Sequence, residues 1–318
     1  MFNKNNTLFI ELTNSCNLKC KSCGYWKPHK ISNISVKEFQ EILAFFESIG
    51  IKKLHLTGGE PLLNNDVEAI LNIAKNKNLY TKISTNGTLI RRNMSKKTLN
   101  MLDEIMISVD ASNAILYKEI RGQDFFADVI DGIEYVSRQK KKTAIVLSFL
   151  IQRKNYKNIL EFIRFASEYD IVRIAFLVPN KGGDFSGNVE KNCYRKEVFL
   201  SEEENKEWIE EIYPQLTENM KRYCHKIEFP NSKHMEAIRD YFSDGSLQIR
   251  KQPCMQAFNT IFVNADLEFK FCPYFEKTFK MGSFDIEHDL EKERLKILFD
   301  KKNQISKCAY CLETQLND

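Results

Sequence analysis

Short apolar runs alternate with amphipathic helical stretches through the first 180 residues, and no other feature restricts the possible folds as tightly. Strand patterns fall at 7–12, 51–57, 79–85, 104–109, 143–150 and 171–178. Helical patterns fall between them, at 35–48, 66–77, 95–102, 125–140 and 155–169. The first of these opens with a capping box from Ser35 to Glu38 and stops at Gly50. The sixth strand has no obvious helix after it. Strands separated by helices pair in parallel, and their crossovers are right-handed. The expected fold is α/β: a partial (β/α)6 barrel of the TIM type, with an open doubly wound sheet as the alternative.

After Pro179 the rhythm breaks. Gly182, Gly183 and Gly187 mark a loop. A second capping box, Ser201 to Glu204, starts a helix, and another helical patch covers 232–242. Residues 259–271 read as a β-hairpin turning at 264–266, and a short helix follows at 290–299. This divides the chain into a barrel, 1–200, and a second part, 201–318, of connecting helices and a small C-terminal domain containing the hairpin.

The charge balance excludes some partners. There are 47 basic and 43 acidic residues, a net charge of +4, which is too mild to argue for nucleic acid. The basic run at 138–142 reads as a solvated helix end. The N-terminus lacks the apolar stretch and cleavage site of a signal peptide, and no run nears the roughly 18 apolar residues of a membrane span. A cytoplasmic protein without nucleic-acid or membrane partners is expected.

Nine cysteines are many for such a compartment, where disulfides are disfavoured and clustered thiols point to metal. Seven fall into two groups: Cys16, Cys20 and Cys23 near the start, and Cys254, Cys272, Cys308 and Cys311 near the end. Cys193 and Cys224 are left over. The triplet follows the first strand, so it sits where barrel active sites lie. A structural zinc site or an ordinary ferredoxin-type cluster takes four ligands, and no fourth Cys or His follows closely; His29 is six residues on. Spacing alone leaves two readings: an iron–sulfur cluster with one open iron, or a zinc site completed by His29 or a distant cysteine. A second motif, Thr57-Gly58-Gly59-Glu60-Pro61, ends the second strand, where glycines allow close backbone approach and offer N–H donors.

Together, C-x3-C-x2-C after the first strand and Gly-Gly-Glu-Pro after the second resemble the radical S-adenosylmethionine (radical SAM) family. The resemblance runs from about residue 7 to 180. Ser84-Thr85-Asn86-Gly87 ends the third strand, Ser108-Val109-Asp110 the fourth, and Arg121-Gly122 follows. One departure is Ser22, where members usually carry an aromatic residue before the third cysteine; Tyr25 and Trp26 come just after. The resemblance implies that Cys16, Cys20 and Cys23 hold a 4Fe–4S cluster whose open iron chelates S-adenosylmethionine. It implies that Gly58, Gly59 and Glu60 meet the amino group. Ser84, Asn86, Ser108 and Asp110 lie where members contact the ribose and methionine parts. Arg121 is placed to neutralise the methionine carboxylate. A 5′-deoxyadenosyl radical would then take hydrogen from the substrate, with a reduced flavodoxin- or ferredoxin-type protein as electron donor.

The four distal cysteines suffice to saturate one cluster or one zinc. Beside a radical SAM core they resemble an abbreviated SPASM or twitch domain, which implies a second, auxiliary 4Fe–4S cluster in an electron-transfer role. Some family epimerases return hydrogen from a thiol, a role open to Cys193 or Cys224. The favoured substrate is a small molecule, such as a sugar-containing metabolite undergoing oxidation, epimerisation or dehydration. The first strand begins by residue 7, leaving no room for a leader-binding domain ahead of it, and one auxiliary cluster is visible. Maturation of a ribosomally made peptide is the alternative, and a zinc-binding structural protein is the reading from another class. Lys181, Asp184, Arg195 and Lys196 lie where substrate contacts are expected.

Overall fold

A computed structural model describes residues 6–27, 29–139, 142–179, 191–243, 256–272 and 277–299. Six strands occur where the pattern places them: β1 (Asn6–Glu11), β2 (Ile51–Thr57), β3 (Tyr80–Thr85), β4 (Glu104–Ser108), β5 (Ala144–Leu150) and β6 (Arg173–Leu177). Each pairs in parallel with the next. Their side chains alternate between two faces. Leu8, Ile10, Leu54, Leu56, Ile83, Ile105, Ile107 and Ile174 are fully buried on one face. Phe9, Glu11, His55, Ser84, Met106 and Ser108 are partly accessible on the other. The first set packs under the helices; the second lines the inner, concave side.

The covering helices form for local reasons. Helix Val36–Phe45 has both halves of its capping box: Ser35 Oγ accepts from the Glu38 amide at 3.3 Å, and the Ser35 amide donates to Glu38 Oε2 at 2.8 Å. Its buried Phe39, Ile42 and Leu43 follow the i, i+3, i+4 spacing of an amphipathic helix. Gly50, at φ +69°, ends the short 3-10 turn that follows and turns the chain into β2. Replacing Ser35 with alanine is expected to cost about 1 kcal/mol. Thermal unfolding measures this as a lowered midpoint with the same secondary structure content.

Two short helices lie outside the expected helical stretches. The helix expected over 95–102 is present as Lys96–Asn100, capped by Ser95, whose side chain accepts from the Thr98 amide; a one-turn helix, Ile90–Asn93, precedes it. Helix Ala114–Arg121 is absent from the sequence reading. It is eight residues long and buries only Tyr117 and Ile120, too little to print a pattern.

The hairpin expected over 259–271 is present as β7 (Thr260–Val263) and β8 (Glu268–Lys270), followed by a two-residue β9 (Phe279–Lys280). Asn264 closes the turn, its side chain accepting from the amides of Asp266 and Glu268. The hairpin does not stand apart. β7 lies parallel to β1, so one nine-stranded sheet runs β6-β5-β4-β3-β2-β1-β7-β8-β9. Aromatic packing fixes the junction: Phe262 stacks on Phe9 with centroids 4.5 Å apart, and Phe269 meets Phe46 edge-on at 5.2 Å. Among the described residues the sheet does not close. The helices expected near 201, 232 and 290 occur at Glu202–Glu207, Ser232–Ser243 and Ile286–Phe299. Among the described residues, no helix is long and apolar enough to cross a membrane.

Candidate active site

The three cysteines of the triplet lie on the long loop after β1, at the C-terminal edge of the sheet. Its neighbours hold that loop from three sides. From β2, the Gly59 amide donates to Thr13 O and the Glu60 amide to Ser15 O, each at 2.8 Å. The approach is so close that a Cβ on Gly59 would lie 2.1 Å from Ser15 O, and one on Gly58 2.3 Å from Thr13 O. The two glycines therefore serve first to let the cysteine loop pack against the strand end. The Gly59 amide, expected as a free donor, is already engaged.

Glu60 is fully buried and ties β2 to β3. Its Oε1 accepts from the Leu62 amide and from Thr85 Oγ1, and its Oε2 from the Asn86 amide at 2.7 Å. Burial raises its carboxyl to about 7, against the pull of these donors. Asn86 continues the chain of contacts. Its Nδ2 donates to Asn17 Oδ1 at 2.8 Å and approaches Cys16 Sγ at 3.9 Å. Asn17 in turn donates to Thr88 Oγ1.

From the other side, the end of helix Ala114–Arg121 meets Cys20. Arg121 Nη1 points at Cys20 Sγ, 3.8 Å away, and Nη2 pairs with Asp110 Oδ2 at 2.8 Å. Two residues expected at the cofactor are thus bonded to each other. Asp110 also takes the Leu150 amide on Oδ1 at 2.7 Å, from a left-handed backbone at φ +64°. Burial raises its carboxyl, partly offset by the Arg121 charge and the Leu150 bond.

The thiols are shielded. Burial pushes Cys16 up to about 12 and raises Cys20 as well, with Arg121 pulling the latter back. A free thiolate is therefore disfavoured; iron ligation removes the proton outright. The Leu18 amide lies 3.5 Å from Cys16 Sγ. N–H donors at ligand sulfurs and no competing disulfide among the described cysteines suit an iron–sulfur cluster. Among the described residues no three His, Cys, Asp or Glu side chains converge on a single metal ion. An iron–sulfur cube, by contrast, meets each ligand at a different iron. His29 does not complete a zinc site here: its ring nitrogens face the carbonyl oxygens of Lys27 and Asn14.

On the inner face, Ser84 and Ser108 look into the half-barrel. Ser84 Oγ lies 2.6 Å from His55 Nε2, and Ser148 donates to Ser108 at 3.2 Å. His55, held neutral by burial and the nearby Lys82, did not stand out in the sequence. Its signal was the alternation Leu54-His55-Leu56, which puts it on the concave side. Glu11 is hidden in the same way. It sits at the inner end of β1, bonded to Tyr25 of the cysteine loop, and burial raises it to about 7. Trp26, one of the aromatics near the Ser22 departure, donates to the Cys20 carbonyl.

Other expected positions are less informative. Cys272 is partly buried after β8. Cys254, Cys308 and Cys311 lie outside the described residues, as do Lys181 and Asp184. Cys193 falls in helix Lys191–Val198, which also carries Arg195 and Lys196. Cys224 is exposed at the end of helix Tyr213–Tyr223, its thiol donating to the Lys221 carbonyl.

A parallel half-barrel with a shielded three-thiol loop at its C-terminal edge defines a redox-cofactor enzyme. Residues 10–166 match the radical SAM superfamily, and the chain belongs to that family. Membership brings a 4Fe–4S cluster and S-adenosylmethionine as cofactors. A probable GTP 3′,8-cyclase of Sulfolobus acidocaldarius is 28% identical over 206 residues, covering 60% of this chain. The match spans 66% of that protein's length, just short of two thirds. Streptococcus suis SuiB, in a crystal structure with S-adenosylmethionine, has the same fold. Its TM-score is 0.67 at 17% identity, over 98% of this chain and 72% of SuiB. SuiB has also been crystallised with the precursor peptide SuiA, at TM-score 0.68 and 16% identity over 99% of this chain and 71% of SuiB. Native anSMEcpe with bound S-adenosylmethionine and Cp18Cys peptide matches at TM-score 0.61 and 15% identity, over 96% of this chain and 84% of its own.

Proposed function

We propose that Cys16, Cys20 and Cys23 hold a 4Fe–4S cluster that binds S-adenosylmethionine, and that the enzyme takes a hydrogen atom from a peptide in the open half-barrel. The observation that carries this is the cysteine loop itself: clamped by Gly59, Glu60 and Arg121, with N–H groups turned toward its sulfurs. Bound at these three cysteines, such a cluster would supply one-electron reduction of S-adenosylmethionine, the electron coming from a reduced donor protein. The protein's residues do the rest. Gly58–Glu60 and Asn86 shape the cofactor's seat, and Ser84 and Ser108 present hydroxyls from the inner wall. The buried floor of the sheet excludes water from a reactive radical.

A peptide is favoured over a sugar because the protein folds like SuiB and anSMEcpe along nearly its whole length, and structures of both hold bound peptides. A small polar molecule is the second reading. It draws on the 28% identical relative and on the hydroxyl row Ser84, Ser108 and Ser148.

Two further parts belong to the proposal. The division at residue 200 separates the barrel from a SPASM- or twitch-like part in which Cys254, Cys272, Cys308 and Cys311 carry an auxiliary 4Fe–4S cluster. The electron donor is an acidic flavodoxin- or ferredoxin-type protein. Residues 12–34, the cysteine loop, carry Lys19, Lys21, Lys27 and Lys30 and no Asp or Glu.

The test is anaerobic reconstitution with iron and sulfide, then reduction in the presence of S-adenosylmethionine. A brown protein releasing 5′-deoxyadenosine is expected. Deuterium from a labelled peptide encoded beside the gene should appear in that 5′-deoxyadenosine. Transfer from labelled GTP instead selects the second reading. A colourless protein that retains zinc and leaves the cofactor intact overturns the assignment.

A further inference from the structure

The end of helix Ala114–Arg121 is built around one cysteine. Its last two carbonyls take the amides on either side of Cys20: Lys19 N donates to Arg121 O at 3.2 Å, and Lys21 N to Ile120 O at 3.1 Å. Gly122, left-handed at φ +73°, permits the approach; a Cβ there would lie 2.2 Å from Lys19 O. The Arg121 side chain, 12% exposed, spans from Cys20 Sγ at 3.8 Å to Asp110 Oδ2 at 2.8 Å. Asp110 is itself fixed, by the Leu150 amide and by Asn155 Nδ2 on its carbonyl. The Arg121 guanidinium therefore has two of its three nitrogens committed, one of them to the sulfur.

We propose that Arg121 is a positioning residue acting through Cys20: its N–H···S contact and charge raise the reduction potential of the cluster on Cys16, Cys20 and Cys23, and Asp110 tempers that effect. The inference rests on the cluster assignment above. Reduction adds negative charge to the cluster and its sulfurs, so a buried cation and an N–H donor at a ligand sulfur stabilise the reduced form. Burial keeps the interaction from being screened by salt. An arginine that instead bound the methionine carboxylate would act on cofactor affinity and leave the potential of the resting cluster where it is.

The experiment is a redox titration of the full-length reconstituted protein, followed by electron paramagnetic resonance. The cluster is identified by the signal that changes when S-adenosylmethionine is added. R121M is expected to move its midpoint to more negative potential, and D110N, which frees the arginine charge, to more positive potential. R121K, keeping the charge but not the planar fork, falls between R121M and the native protein. Unchanged midpoints in R121M and D110N, with weaker S-adenosylmethionine binding in R121M, overturn the proposal in favour of a carboxylate contact. If R121M fails to hold iron, D110N decides: a positive shift supports the proposal, and no shift sinks it. C20A separates the underlying assignment, because a cofactor-responsive signal surviving in C20A removes the cluster from Cys20 altogether.

Discussion

Replacing Cys16, Cys20 and Cys23 together with alanine is expected to halve the iron and abolish the chemistry. Two 4Fe–4S clusters amount to about eight irons per chain, and the triple variant should retain about four. Release of 5′-deoxyadenosine should fall to the level seen without protein. The fold should survive, since no disulfide joins the described cysteines and the loop is held by the backbone bonds of Gly59, Glu60, Lys19 and Lys21. Iron analysis, circular dichroism and the 5′-deoxyadenosine assay read the three statements separately. The complementary substitutions, C272A with C308A and C311A, should leave about four irons and S-adenosylmethionine cleavage, but no finished product. A native protein with only about four irons would dispose of the auxiliary cluster and leave the first one standing.

The second large effect is expected from one methyl group. In Gly59→Ala the new Cβ falls 2.1 Å from Ser15 O and 2.5 Å from Ser15 C, with Cys16 N at 3.1 Å. These are backbone atoms, so no side chain can swing aside. The strand end and the cysteine loop must part, and the 2.8 Å bonds to Thr13 O and Ser15 O stretch with them. Overpacking of this kind costs about 1–3 kcal/mol or more. The functional loss should be larger than the loss of stability, because Cys16 moves directly. The variant is predicted to fold, to melt several degrees lower, and to load little iron at the triplet. Gly282, which has nothing within 4 Å of a built Cβ, is the control: G282A should load iron normally.

Much of this was legible in the sequence, and the reasons are local. Short apolar runs between helical patterns marked β1 to β6, and Ser35 with Glu38 marked the first helix, because those signals lie within a few residues of the structure they specify. The triplet and Gly58–Glu60 were legible as a pair. What the motif does was less so. Only the fold shows that the Gly59 amide serves the loop, or that Arg121 and Asp110 hold one another. Those contacts join residues far apart in the chain, and no spacing rule encodes them. His55 and Glu11 were hidden for another reason: a single polar residue in an apolar strand looks like noise until the faces are assigned. The attachment of β7 to β1 was invisible because the parallel pairing of two edges leaves no trace in either strand.

That attachment has a price in time. Thr7 pairs with Thr260, so the outer edge of β1 waits for roughly 250 further residues to be made. At about 5–20 residues per second, the ribosome leaves it open for some 12–50 s. Through that interval the nascent chain presents an unsatisfied strand edge with Phe9 beside it, a template for the wrong partner. Made before the other described strands, β1 is among the last to be completed, and a chain stopped before β7 keeps an adhesive flank next to its cysteine loop.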